Sequence, residues 1–130
     1  MKSWMWIILT LIISVVLSGC SADEVIQVGT PFNNNGSEGV KFHKEIKDSE
    51  SIEALRRILD KLEDIEEPND LNKESETFFS LDRPKEGISE RRLYVWYQED
   101  GSSILYNDGV NSYFSLTKKQ TNELKSILVQ

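Results

Sequence analysis

Cysteine, histidine and proline are nearly missing from this chain: one, one and three among 130 residues. A single cysteine, Cys20, excludes any disulfide within the chain. A single histidine, His43, leaves a zinc centre or a histidine general base without partners at short spacing. No Gly-x-Ser-x-Gly stretch and no phosphate-cradling glycine loop occurs, and apart from Gly19 the glycines fall in turns and in the polar stretch after Cys20. Positive charge is also short, with 15 Lys and Arg against 22 Asp and Glu, a net charge of -7. Such a surface repels phosphate backbones, so no nucleic-acid partner is expected. It also speaks against a polybasic grip on anionic lipid. Finally, the apolar run Trp4 to Leu17 is fourteen residues long. A membrane-spanning helix needs roughly 18 or more.

What is present explains that short run. Lys2 and the amino terminus precede it, and the small residues Ser18 and Gly19 follow, the layout of an export signal over residues 1–19. The stretch Leu17-Ser18-Gly19-Cys20 resembles the lipobox of bacterial lipoproteins: an aliphatic residue, two small ones, then cysteine. The resemblance implies cleavage between Gly19 and Cys20 and a diacylglyceryl (palmitate-type) group on the Cys20 sulfur. The alternative is a chance cysteine in an ordinary secretory signal or uncleaved anchor. Two acyl chains hold a protein stably where one holds it marginally. The expected location is therefore the outer, extracytoplasmic face of the cell membrane. Loss of residues 1–19 removes one cation, Lys2, and leaves 14 basic against 22 acidic side chains, or -8.

Residues 20–39 read as the lipidated cysteine and a flexible tether, because Gly29, Pro31, Asn33-Asn34-Asn35-Gly36 and Gly39 leave little to bury. The alternative is a short edge strand over Val25, Ile26 and Val28. Residues 40–130 are expected to fold as a single α+β domain, an antiparallel sheet of four to five strands with two helices on one face, in the order β-α-β-β-β-β-α. Val40, Phe42 and Ile46 alternate with polar residues as a strand. Asp48-Ser49 caps a helix whose apolar set Ile52, Leu55, Ile58, Leu59, Leu62 and Ile65 carries it to about residue 65. Strands follow at 77–81, 91–98, 104–106 and 111–115, the second apolar on both parities and therefore central. Asn107-Asp108-Gly109 signals a hairpin. A three-residue loop, aligning Ile104 with Phe114, is preferred over a two-residue one because it gathers Ile104, Tyr106, Phe114 and Leu116 on one face. Thr117-Lys118-Lys119-Gln120 fits a capping box for a terminal helix.

Chemistry-bearing groups are sparse. The acidic cluster Glu63, Asp64, Glu66, Glu67, Asp70, Glu74 and Glu76 lacks calcium-loop spacing and reads as a solvated surface, so no metal and no cofactor are expected. Tyr94, Trp96, Tyr106 and Tyr113 belong to neighbouring strands and form a candidate binding face; in a sheet covered on both sides they would be core. With no catalytic residues to name, the expectation is a chain that is not an enzyme: a non-enzymatic binding or interaction module of the envelope, with a protein or wall glycan as partner. The alternative is an inhibitor or immunity-type protein docking a basic partner. Paired carboxylates acting on a wall glycan form a third reading, but the sequence gives no ground for choosing a pair.

The helix at Ser51-Ile52-Glu53-Ala54-Leu55-Arg56-Arg57-Ile58-Leu59, the strand Leu93-Tyr94-Val95-Trp96-Tyr97 and the run Tyr113-Phe114-Ser115-Leu116-Thr117 complete a second resemblance. Together with the lipobox, they make the chain resemble the small extracytoplasmic lipoproteins of Gram-positive, Bacillus-type bacteria. Residues 40–130 are similar to YhfM-like lipoprotein domains. That resemblance implies location and fold, and carries no catalytic residues.

Mass spectrometry of the mature protein should find Cys20 at the amino terminus with a diacylglyceryl mass. Cys20→Ser should abolish that mass and the processing. A Ser variant that matures and partitions like the parent would refute the lipobox.

Overall fold

Val25 and the pair Ile26 and Val28, which alternate with Gln27, open a strand, β1 (Val25–Asn34). Asn35 and Gly36, at φ 54° and 88°, turn it tightly into β2 (Ser37–Ile46). Two left-handed residues in succession are what a two-residue hairpin requires, and Asn-Gly supplies them at low cost. In the computed structural model, which describes residues 23–71 and 74–129, this hairpin is part of the sheet. The tether expected over residues 20–39 is thereby corrected, since residues 25–34 form a strand paired along both edges. The expected signal peptide and Cys20 lie outside the described residues.

Helix α1 (Ser49–Leu59) starts where Asp48 accepts a hydrogen bond from the Ser51 amide at 3.0 Å. It ends at Leu59, six residues short of the periodicity, with Asp60 as its C-cap. Glu63–Ile65 forms strand β3 instead, because pairing with a neighbouring strand satisfies its backbone. Leu62 still packs on the core. Then come β4 (Thr77–Arg83), a single 3-10 turn at Pro84–Glu86, β5 (Ile88–Tyr97), β6 (Ser103–Asn107), β7 (Ser112–Leu116) and α2 (Lys118–Leu128). The capping box is present as expected: Thr117 Oγ1 accepts from the Gln120 amide, and Gln120 Oε1 accepts from the Thr117 amide.

Among the described residues the architecture is α+β with two helices, but the antiparallel sheet has seven strands where four to five were expected. Its spatial order is β2-β1-β4-β5-β6-β7-β3. The chain order is β-β-α-β-β-β-β-β-α, with β5 central as its double-sided apolarity suggested. One edge is the ten-residue β2; the other is the three-residue β3.

Both helices cover one face. Ile26, Val28, Phe79, Leu81, Leu93, Val95, Leu105 and Leu116 from the sheet meet Ile52, Leu55, Ile58 and Leu59 of α1 and Leu124, Ile127 and Leu128 of α2. A buried hydroxyl pair, Ser103 with Thr121 at 2.8 Å, ties α2 to β6 and satisfies both groups.

Two registers depart from expectation. In the β6–β7 hairpin Tyr106 faces Tyr113 and Asn107 faces Ser112, which leaves a four-residue loop. Asn107 Oδ1 accepts from the Gly109 amide at 2.9 Å, and Asn111 takes a left-handed φ of 51°. The slip of one residue turns Leu105, Phe114 and Leu116 to the helices and the tyrosines to the other side. In β2 the partners run from Val28–Lys44 to Gly29–Phe42, so His43 is an extra residue, a bulge. The bulge reverses parity: Phe42 leaves the core side, while Ile46 and Lys44 face the helices. There Lys44 Nζ donates to the Leu128 carbonyl at the end of α2, at 3.4 Å.

At the sheet's other end Arg56 of α1 donates to both carboxylate oxygens of Glu90, each at 3.0 Å, and reaches Glu24 at 2.9 Å. Arg83 joins the same two carboxylates at 3.6 Å. Hydrogen bonds from Arg56 hold the Glu90 carboxyl below its usual range.

Because β1 joins β2 to the rest of the sheet, a chain beginning at residue 40 should show no cooperative urea transition. Ile26, fully buried, should cost about 2–5 kcal/mol on truncation to Ala. Near-parental midpoints for both variants would restore the tether.

Candidate functional site: an aromatic face with two acidic clefts

The sheet face turned from the helices is lined by rings in series. Phe42 and Phe78 stand 5.8 Å apart between centroids, Phe78 and Tyr94 4.9 Å, Tyr94 and Tyr106 6.4 Å, and Tyr106 and Tyr113 4.7 Å. Four of the five come from strands β4 to β7. The fifth, Phe42 on β2, reaches Phe78 across Gly29 of the intervening β1, which pairs with both residues. A side chain at Gly29 has no room: a Cβ there would lie 2.6 Å from Val40 Cγ1 and 2.8 Å from the Lys41 carbonyl oxygen. Edge contacts between rings at these spacings add to their area burial. Arg92 lies over the Phe78 ring, 5.2 Å from its centroid, with its Nε 3.5 Å from Asp108.

Tyr94, Trp96, Tyr106 and Tyr113 thus share one face, and all four are half-buried. The structure brings the first three together in one cleft of about 570 Å³, with Phe32, Glu38, Glu74, Ser75 and Asp108. Trp96 also lines a second cleft of about 790 Å³, with Asp70, Glu76, Glu99, Asp100 and Ile104. The connection from β3 to β4 gives residues to both: Asp70 and Leu71 to the larger, Glu74 and Ser75 to the smaller. Tyr113 lies outside both, at a shallow hollow with Asp64 and Glu67. Burial, with the Glu67 carboxylate beside it, raises the Tyr113 phenol above its usual range. Its hydroxyl donates to Glu67 at 3.4 Å. Cys20 lies outside the described residues.

The sequence reading missed Phe32, Phe42 and Phe78, and with them the carboxylates Glu38, Glu74 and Asp108 as cleft groups. Asn35-Gly36 was the signal that would have found the first two, because a tight hairpin there folds Phe32 and Phe42 back onto the sheet. His43 lines neither cleft. Among the described residues that line the two clefts there is no lysine or arginine, and the charged ones are all acids.

No protein-family model matches the chain, and no curated protein matches it. Among solved structures it is similar to a thioesterase-like protein from Clostridium sporogenes ATCC 15579, with a TM-score of 0.60 and 23% identity over 85% of this chain and 97% of that one. At that identity the likeness shows a shared fold. It also corrects two expectations, that the chain is not an enzyme and that it is an interaction module or an inhibitor-type protein. The first rested on the lack of a local catalytic motif, and the second on that lack together with the aromatic face and the acidic charge. A scaffold shared with a thioesterase-like protein removes that ground, because carboxylates brought together from distant segments leave no local motif to read.

Gly29→Ala should lower stability by about 1–3 kcal/mol, the usual cost of overpacking, because β2 backbone must move to admit the methyl. Urea titration reads the loss; an unchanged midpoint would show that the β1–β2 contact is loose.

Proposed function

We propose that this chain is a hydrolase of acyl thioesters, anchored by lipid on Cys20 at the outer face of the cell membrane, with its substrate in the smaller aromatic cleft. The observation that carries the reading is that cleft: Phe32, Tyr94, Trp96 and Tyr106 give an apolar floor, and Glu38, Glu74 and Asp108 bring carboxylates to it. The thioesterase-like fold neighbour supports the choice of reaction. The lipobox Leu17–Cys20 supports the location, as does the resemblance to Gram-positive lipoproteins. Among the described residues no helix is long and apolar enough to cross a membrane.

The chemistry suits the groups present. A carboxylate can take a proton from water as the water attacks the acyl carbonyl. The thiolate then leaves without a proton, since a thiol's ordinary pKa of about 8.5 makes its anion a competent leaving group. Such a site needs a base and no histidine. Asp108 is held by Arg92, which leaves Glu38 and Glu74 to act as base. The rings hold the acyl or carrier portion by apolar contact.

Thiol release from a panel of acyl thioesters reads the reaction directly, because the mature lipidated chain has no free thiol of its own. The double variant Glu38→Gln, Glu74→Gln should lose about 10²–10⁴ in kcat, the usual worth of a general base. Trp96→Ala should raise KM with a smaller effect on kcat. No release across the panel, or equal release by the double variant, would overturn the proposal.

A further inference from the structure

On the opposite side of the domain α1 and α2 bound a groove of about 600 Å³ with Ala54, Ile58 and Ile127 in its lining. Arg57, Lys61 and Lys119 rim it, and Glu123 is its one lining carboxylate. Among the described residues the two grooves therefore differ in sign, acids lining the aromatic clefts and mostly cations rimming the helical groove, while Glu50 and Glu53 sit elsewhere on α1. Two further features mark the helical side. Lys118 and Lys119 occupy the first turn of α2, which carries no acidic residue. Cations there oppose the helix dipole. None of Arg57, Lys61 and Lys119 makes an ion pair among the described residues.

The start of the described chain lies against the same helix. Glu24 is ion-paired to Arg56 at 2.9 Å, and Asp23 to Lys85 at 2.7 Å. Cys20 precedes Glu24 by four residues, which span at most about 14 Å. A lipid on Cys20 would hold α1 within that distance of the bilayer surface.

We propose that the α1–α2 face is a membrane-docking surface, its groove cations Arg57, Lys61 and Lys119 resting on the phosphates of anionic lipids. The inference rests on lipidation of Cys20, and it leaves the aromatic clefts turned away from the bilayer. The chain's net charge hides this surface, because the carboxylates that set the sign lie largely elsewhere. Each cation near an anionic surface is worth roughly fivefold in partition. Three of them orient a domain that the lipid already keeps in place.

The test uses the mature lipidated chain on phosphatidylcholine vesicles, with or without about a third phosphatidylglycerol. A fluorophore is placed on Ser126→Cys, in the groove, or on Asn33→Cys, in the smaller cleft. Spin-labelled lipid headgroups quench it. With phosphatidylglycerol present, the Ser126 site should be quenched at least about twofold more than the Asn33 site. The difference should vanish in about 0.5 M salt, which shortens screening to a few ångströms, and in the Arg57→Gln, Lys61→Gln, Lys119→Gln variant. Equal quenching at both sites, or a difference that survives salt and the triple substitution, overturns the docking. A chain that stays with neither vesicle overturns the anchor and the docking together. Thioester hydrolysis plays no part in this readout, so its failure would leave the docking result standing.

Discussion

Strand β1 is hydrogen-bonded along both edges, to β2 over residues 26–34 and to β4 over residues 25–29. Most of the molecule hangs on that double pairing. Among the described residues it gives β2 its one partner strand, and it puts Ile26 and Val28 beneath the helices. At Gly29 it brings β2 so close that the Phe42 ring reaches Phe78. One strand thus helps to build the core on one face and the aromatic surface on the other.

The sequence is clearest where local signals agree with tertiary contacts. Asp48 and Thr117 cap helices as their positions suggest, Leu55 and Leu59 are buried, and β5 is central. It misleads where one residue does two jobs. Gly29 reads as a breaker in a polar linker, yet it is a point of close approach within a sheet. Asn35-Gly36 reads as one more polar pair, yet it is the turn that makes residues 25–46 a hairpin. The apolar spacing of Leu62 and Ile65 continues a helical period, but strand pairing with β7 decides the backbone of residues 63–65. His43 reverses the parity of its strand, and no periodicity argument foresees a bulge.

The candidate site shows the same division. Tyr94, Trp96, Tyr106 and Tyr113 were singled out because they sit on adjacent strands, and they do share a face. The acids beside them were hidden, since Glu38, Glu74 and Asp108 come from three separate segments that only the folded chain assembles. Motif searches find chemistry held by neighbouring residues. Carboxylates gathered across a sheet fall outside their reach, so the want of a motif does not decide what such a cleft can do.

The two sheet edges differ in length but share a defence. Strand β3 offers three residues, two of them acidic, and β2 is interrupted by its bulge and carries Lys41 and Lys44. Short, bulged or lysine-bearing edges resist addition of another strand. Were lipid on Cys20 to confine the protein to two dimensions, as proposed, local crowding would far exceed that of the same number of molecules in bulk solution. Guarded edges would then let neighbours collide repeatedly without zipping into a shared, extended sheet.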